Sequence, residues 1–123
     1  MVGAIPMGIK GFYRNIPALA VLVGKLSAYV YERDRHIIYI DGGLAAMSFM
    51  YALETLGLSS VPINWPDIEF FEKKMEALLH LDIDERPIML IGIGYADPEG
   101  QIPFSQKKSP KLLTQYNFKD TGI

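Results

Sequence analysis

From Leu44 to Leu56 the chain is apolar on nearly every side that a helix presents: Leu44, Ala45, Met47, Phe49, Met50, Tyr51, Leu53 and Leu56, interrupted by Ser48, Glu54 and Thr55. A helix apolar all round is buried all round. In a small domain a sheet covers one side of such a helix, so something else must cover the other. The stretch is shorter than the roughly 20 residues of a membrane span, which makes protein the expected cover. Asp41 is placed to N-cap the helix, its carboxylate accepting free N–H groups of the first turn. Gly57 is placed to end it in the left-handed conformation.

The flanking segments predict layers. Ala18–Val23 is a short continuous apolar run ending at Gly24, as in a strand covered on both faces. Residues 31–36 are polar and read as an exposed loop or helix end. Ser59–Ile63 is briefly extended, and Pro62 limits the ladder it can form. Pro66-Asp67 opens a second helix whose Ile68, Phe71, Met75, Leu78 and Leu79 fall on one face. Glu69 and Lys73 make an i,i+4 pair on its other side, and it ends near His80. Ile88–Tyr95 is the clearest strand and reads as central. Residues 1–16 form an irregular lead-in and residues 97–123 an extended arm. The whole, 1–123, reads as a single domain in which helices and strands are layered.

Composition narrows the function. The 123 residues carry a formal net charge of −2 and no cysteine. That excludes disulfides, thiolate nucleophiles and cysteine metal sites. A near-neutral balance argues against a nucleic-acid surface. No basic segment precedes an apolar run at the start, so no targeting signal is expected. The expectation is a cytoplasmic protein outside the membrane. Half the residues are hydrophobic, which points to apolar surface kept for a partner or a cofactor.

Few local motifs carry chemistry. Gly92-Ile93-Gly94 follows a strand, but a dinucleotide fingerprint needs a third glycine and an immediate helix; close packing explains the glycines better. Asp82, Asp84 and Glu85 lack the alternation and central glycine of a calcium loop. His36 and His80 are far apart in sequence and make no metal site. No Gly-x-Ser-x-Gly elbow is present. Two features remain. One is the turn Val61-Pro62-Ile63-Asn64-Trp65-Pro66, with its single tryptophan, read most simply as a helix stop and a core indole. The other is Lys107-Lys108, able to hold a phosphate or merely to solubilise a tail.

In order, these elements resemble the C-terminal half of the FMN-dependent nitroreductase family. Tyr39–Met47 with Leu53–Ser60 resembles its block of an Asp, small residues and a long apolar helix closed by Leu-Gly-Leu-Gly. Pro62-Ile63-Asn64-Trp65 falls at its flavin-side turn. Arg86–Tyr95 is similar to its Arg-Pro, apolar strand, Gly-Tyr block, and Pro103–Lys108 with Leu112 and Leu113 to its closing basic motif. The resemblance runs from about Pro17 to Asn117.

The resemblance implies an α+β fold, a nitroreductase-like αβα sandwich shortened at its N-terminus, forming an intertwined homodimer with FMN at the subunit interface. The apolar helix would then pack on the second subunit. Pro62, Ile63 and Asn64 would contact the flavin ring through backbone groups, the Asn64 N–H near flavin N5, and Lys107 and Lys108 would hold its phosphate. No catalytic side chain is implied. Hydride would pass from NAD(P)H through the flavin to a small electron-poor acceptor. Ser59 stands where the family has its second glycine. The family's Arg-rich opening helix and Pro-Ser-x-x-Asn segment have no counterpart here. The chain would then be a fragment or one piece of a split protein, its flavin site completed by a partner chain or missing half; the alternative is a truncated, non-catalytic homologue serving as an interaction or dimerisation module.

Overall fold

The apolar run around Ile88–Tyr95 is the middle strand of the sheet, as its composition predicts. In the computed structural model, which describes residues 2–5 and 8–114, the elements run β1 (Ala18–Lys25), α1 (Ile37–Thr55), β2 (Ser59–Asn64), α2 (Glu69–Leu79), β3 (Glu85–Gly94) and a single-turn α3 (Pro110–Leu113). The sheet order is β1-β3-β2, with both pairings antiparallel. β1 is therefore an edge strand, and its residues are only partly covered rather than buried on both faces.

Side chains alternate along β3 and divide the core in two. Leu90 faces Ile63, Trp65, Met75 and Ile9, with Phe71 and Leu79 of α2 beside them. Ile91 faces Ala46 and Leu53 of α1, with Ala20, Leu22 and Met89 around them. The result is a helix–sheet–helix sandwich. The lead-in belongs to the α2 side: Ile9 is buried there, and Tyr13 and Ile16 pack against the same cluster.

Two boundaries differ from the sequence expectation. α1 begins at Ile37, one turn before Asp41. Asp41 is inside the helix and accepts a hydrogen bond from the Tyr29 hydroxyl at 2.6 Å, so it ties the β1–α1 connection down instead of capping. α2 begins at Glu69 rather than at Pro66-Asp67, because Ile68 is extended and precedes the first turn. On α2, Leu78 and Ile68 are substantially exposed, leaving Met75 as the buried anchor. The Glu69–Lys73 pair forms as expected, at 2.5 Å.

α1 is not buried all round within this chain. Ile38, Gly42, Ala46 and Leu53 are buried, a narrow stripe on the sheet. Ile40, Leu44, Met47 and Tyr51 stay 44–66% exposed on the opposite side. The helix, at 19 residues, is by length and composition alone able to cross a membrane, yet its inner stripe is seated on Ile91. Its end is as expected: Gly57 has φ of +71°, Leu58 N–H donates to Leu53 O and Gly57 N–H to Glu54 O, each at 3.0 Å. Those two bonds define a Schellman motif.

A β-bulge sets how closely α1 sits. The β1–β3 register skips between Leu22 and Val23, which face Met89 and Pro87, leaving Ile88 as the extra residue. Its side chain fills the space left by two glycines. A Cβ on Gly42 would lie 2.9 Å from Ile88 Cδ1 and 3.0 Å from its Cγ2; one on Gly24 would lie 2.7 Å from Cδ1. Gly42 thus trades helix propensity for close approach. Gly42→Ala is expected to lose about 1 kcal/mol, an overpacking cost of about 2 kcal/mol set against about 1 kcal/mol of propensity. In an Ile88→Ala background the same change is expected to stabilise. Urea unfolding of the four variants measures this, and equal effects in both backgrounds would remove Ile88 as the cause.

Trp65 is a core residue, 7% exposed, as the simplest reading of the turn held. Its indole Nε1 is buried with no hydrogen-bond partner among the described residues, a state that costs about 1–3 kcal/mol. Trp65→Phe removes that orphaned donor and is expected to cost about 1 kcal/mol or less, whereas Trp65→Ala should cost about 3–5 kcal/mol. Equal losses in denaturation monitored by far-UV circular dichroism would show that the indole N–H carries no penalty.

Candidate functional site

Pro62, Ile63 and Asn64 form the second half of β2, in register with Ile91, Leu90 and Met89. They make a strand end rather than a free turn. Among the described residues β2 pairs only with β3, so its other edge takes no strand partner from them. Proline fits a ladder only where its nitrogen faces away from the partner strand. Asn64 shares its parity, so the Asn64 N–H faces the same open edge. Ile63 is 4% exposed and seals the strand to the core, while Pro62 and Asn64 are exposed. Within this segment the Asn64 N–H is therefore the one backbone donor presented at a rigid edge.

Lys107 and Lys108 lie well beyond β3, on an exposed stretch without regular structure that precedes α3. Lys107 Nζ lies 3.3 Å from Ser105 Oγ; neither lysine joins an ion pair among the described residues. Among the described residues no hydrogen bond links 101–114 to the sheet. Residues 115–123, the end of the expected arm, lie outside the described residues.

The glycines of β3 serve packing. A Cβ on Gly92 would meet Val61 Cγ1 at 3.0 Å and one on Gly94 would meet Pro17 Cδ at 3.1 Å. The acidic loop closes on itself: Asp82 N–H donates to Glu85 Oε2 at 2.9 Å, the Asp84 carboxylate takes the Ser27 hydroxyl, and Lys25 Nζ lies 4.0 Å from both Asp82 and Glu85. The Ser27 bond holds the Asp84 carboxyl below its usual range. Among the described residues no His, Cys, Asp and Glu group is placed to hold a metal.

One site has no local sequence signal. A cavity of about 440 Å³ is lined by Leu26, Arg35, His36, Ile38, Tyr39, Asp67, Glu72 and Arg86. The residues come from the β1–α1 connection, the first turn of α1, the β2–α2 connection, α2 and β3, so only the fold assembles them. Burial is the main cause raising the Tyr39 hydroxyl, with Asp67 and Glu72 adding to it. Burial likewise raises Glu72, against the pull of Arg86.

Residues 4–95 match the family model of the Nitroreductase family. Among curated proteins, YdgI of Bacillus subtilis (strain 168), named as an NAD(P)H nitroreductase, is 35% identical over 100 residues. That match covers 80% of this chain and 44% of the relative, so this chain spans less than half of YdgI's length. An FMN-dependent nitroreductase from Clostridium difficile R20291 superimposes with a TM-score of 0.73 at 20% identity, over 95% of this chain and 68% of that one. An iodotyrosine deiodinase structure, bound to FMN and 3-iodo-L-tyrosine, has a TM-score of 0.58 at 26% identity, over 89% of this chain and 51% of its own. The fold is the nitroreductase αβα sandwich expected from the ordered motif blocks, and the chain belongs to the nitroreductase family.

Proposed function

We propose that this chain works as an FMN-dependent oxidoreductase of the nitroreductase type, as a homodimer, with NAD(P)H as hydride donor and a small electron-poor acceptor. The observation that carries this reading is the family match across residues 4–95. The open edge of β2 supports it. When bound, the flavin would supply the two-electron chemistry, and the protein would bind and orient it.

This chain's own residues have limited, definable tasks in that reading. Asn64 presents its backbone N–H at the β2 edge to an acceptor atom of the ring, where a fixed donor stabilises developing negative charge. Ile63 holds that edge still through its burial in the core. Pro62 keeps the neighbouring edge position free of a competing donor. Lys107 and Lys108 bind the phosphate by charge-assisted hydrogen bonds.

The second subunit answers the exposure of α1. Ile40, Leu44, Met47 and Tyr51 follow a 4, 3, 4 spacing, the interval of a helix–helix seam. They line the side away from the sheet. A stripe of four large apolar residues is the kind of patch that marks an interface. A second copy presenting the same stripe gives a two-fold contact of like with like.

Titration of the purified chain with FMN, followed by flavin fluorescence, is expected to show quenching. The Lys107→Ala/Lys108→Ala pair should weaken binding about 10- to 100-fold, the worth of one or two charge-assisted bonds. Asn64→Pro, which deletes the donor, should weaken it about tenfold. Sedimentation is expected to give a dimer that Leu44→Glu converts to monomer. A dimer that leaves flavin fluorescence unquenched would replace the oxidoreductase reading with the interaction-module one.

A further inference from the structure

We propose that the charged cavity at the start of α1 binds a free α-amino acid with an apolar side chain. Its carboxylate would lie toward Arg35 and the first turn of α1, and its ammonium toward Asp67 and Glu72. The inference is independent of the flavin reading.

The cations and carboxylates of the cavity answer one another only in part: Arg86 draws on Glu72 but is shared with other partners. Arg86 is already engaged: its Nη1 donates to the carbonyls of Ile83 at 2.9 Å and Glu85 at 2.7 Å, and it pairs with Glu76 at 3.4 Å. Arg35, Asp67 and Glu72 have no ion pair or side-chain hydrogen bond among the described residues. α1 adds to the positive end. It starts without a side-chain cap and without an acidic residue in its first turn, so its N–H groups and dipole favour an anion there. Asp67 and Glu72 line the same cavity as Arg35.

That arrangement selects by exclusion. A phosphate or dicarboxylate would meet Asp67 and Glu72. A divalent cation would meet the charge of Arg35, unpaired among the described residues. A simple amine would leave Arg35 unanswered. A molecule with one carboxylate and one ammonium answers both ends. Leu26, Ile38 and the Tyr39 ring supply an apolar wall for its side chain, and Ile38 is only 2% exposed. The volume of about 440 Å³ falls in the usual range of small-molecule sites, about 300–1,000 Å³. Burial raises the Glu72 and Tyr39 groups, while Arg35, Tyr39 and Asp67 remain exposed, so the cavity is open to an entering ligand.

Isothermal titration and amide chemical-shift mapping on the full chain, without flavin, test this directly. The probes are L-phenylalanine and L-leucine, with L-phenylalanine methyl ester lacking the carboxylate and N-acetyl-L-phenylalanine lacking the ammonium. Either free amino acid is expected to bind and to shift the amides of residues 35–39, 67 and 72. Each blocked form should bind at least about tenfold more weakly. Arg35→Gln should erase the discrimination against the ester, and Glu72→Gln should reduce that against the acetylated form, with circular dichroism confirming that both variants fold. Absence of binding by both amino acids at about 10 mM, or equal binding of blocked and free forms, overturns the proposal. Quenching of added FMN is scored separately, so either reading can fail without the other.

Discussion

Leu90 and Ile91, neighbours on the middle strand, are both fully buried and point to opposite layers. Each is the floor of one half of the core. Leu90 receives α2, Trp65 and the lead-in; Ile91 receives α1. With one strand serving both layers, anything that shifts β3 shifts both helices. The bulge at Ile88 matters for that reason. It adds one residue to β3 just before this pair, and Gly42 and Gly24 are bare where its methyl groups lie. α1 can sit low on the sheet only because of that fit.

α1 is thereby a two-sided element. Toward the sheet it is narrow and small, with Gly42 and Ala46 at the contact. Away from it are Ile40, Leu44, Met47 and Tyr51, all large and half or more exposed in most cases. An isolated helix gains nothing from such a stripe in water, since exposed apolar area carries a cost of about 25 cal/mol per Å². The stripe is one part of the exposed apolar surface, which also includes Phe70, Ile83 and Phe104. The apolar composition of α1 lets it pass for a membrane span; the small residues seated on Ile91 are what a sheet-bound helix has.

Much of the architecture was legible in the sequence because the signals were local. The apolar run of β3, the period of α2, Gly57 as a left-handed stop and the Glu69–Lys73 pair all depend on neighbours within a turn or a strand. The start of α1 was misread at Asp41 because a carboxylate before an apolar helix is a strong cap signal, whereas its actual partner, the Tyr29 hydroxyl, is set by tertiary structure. Burial all round α1 was an overestimate for one chain, since periodicity cannot say which covering surface is in the same molecule. Pro62, Ile63 and Asn64 were identified as site candidates by resemblance, and their open edge follows from strand order. The charged cavity was invisible, because Arg35, Asp67, Glu72 and Arg86 stand on five separate pieces of chain together with Ile38 and carry no spacing.

The antiparallel order explains why those pieces meet. β1 runs out toward Lys25 beside the point where β3 begins, because Lys25 is in register with Glu85. β2 ends at Asn64 opposite Met89, near the same end of the sheet. The connections that follow β1 and β2 therefore both leave from that end, and so does the start of β3. One leads to Arg35 and the first turn of α1, the other to Asp67 and α2, and Arg86 lies between them. A sheet in this order brings cations from one connection and carboxylates from the other to a single rim without any local motif. The open edge of Asn64 adjoins that rim but works by different chemistry, through a backbone donor rather than through charged side chains. The two features can thus serve separate ligands, and a substitution in one leaves the other's atoms in place.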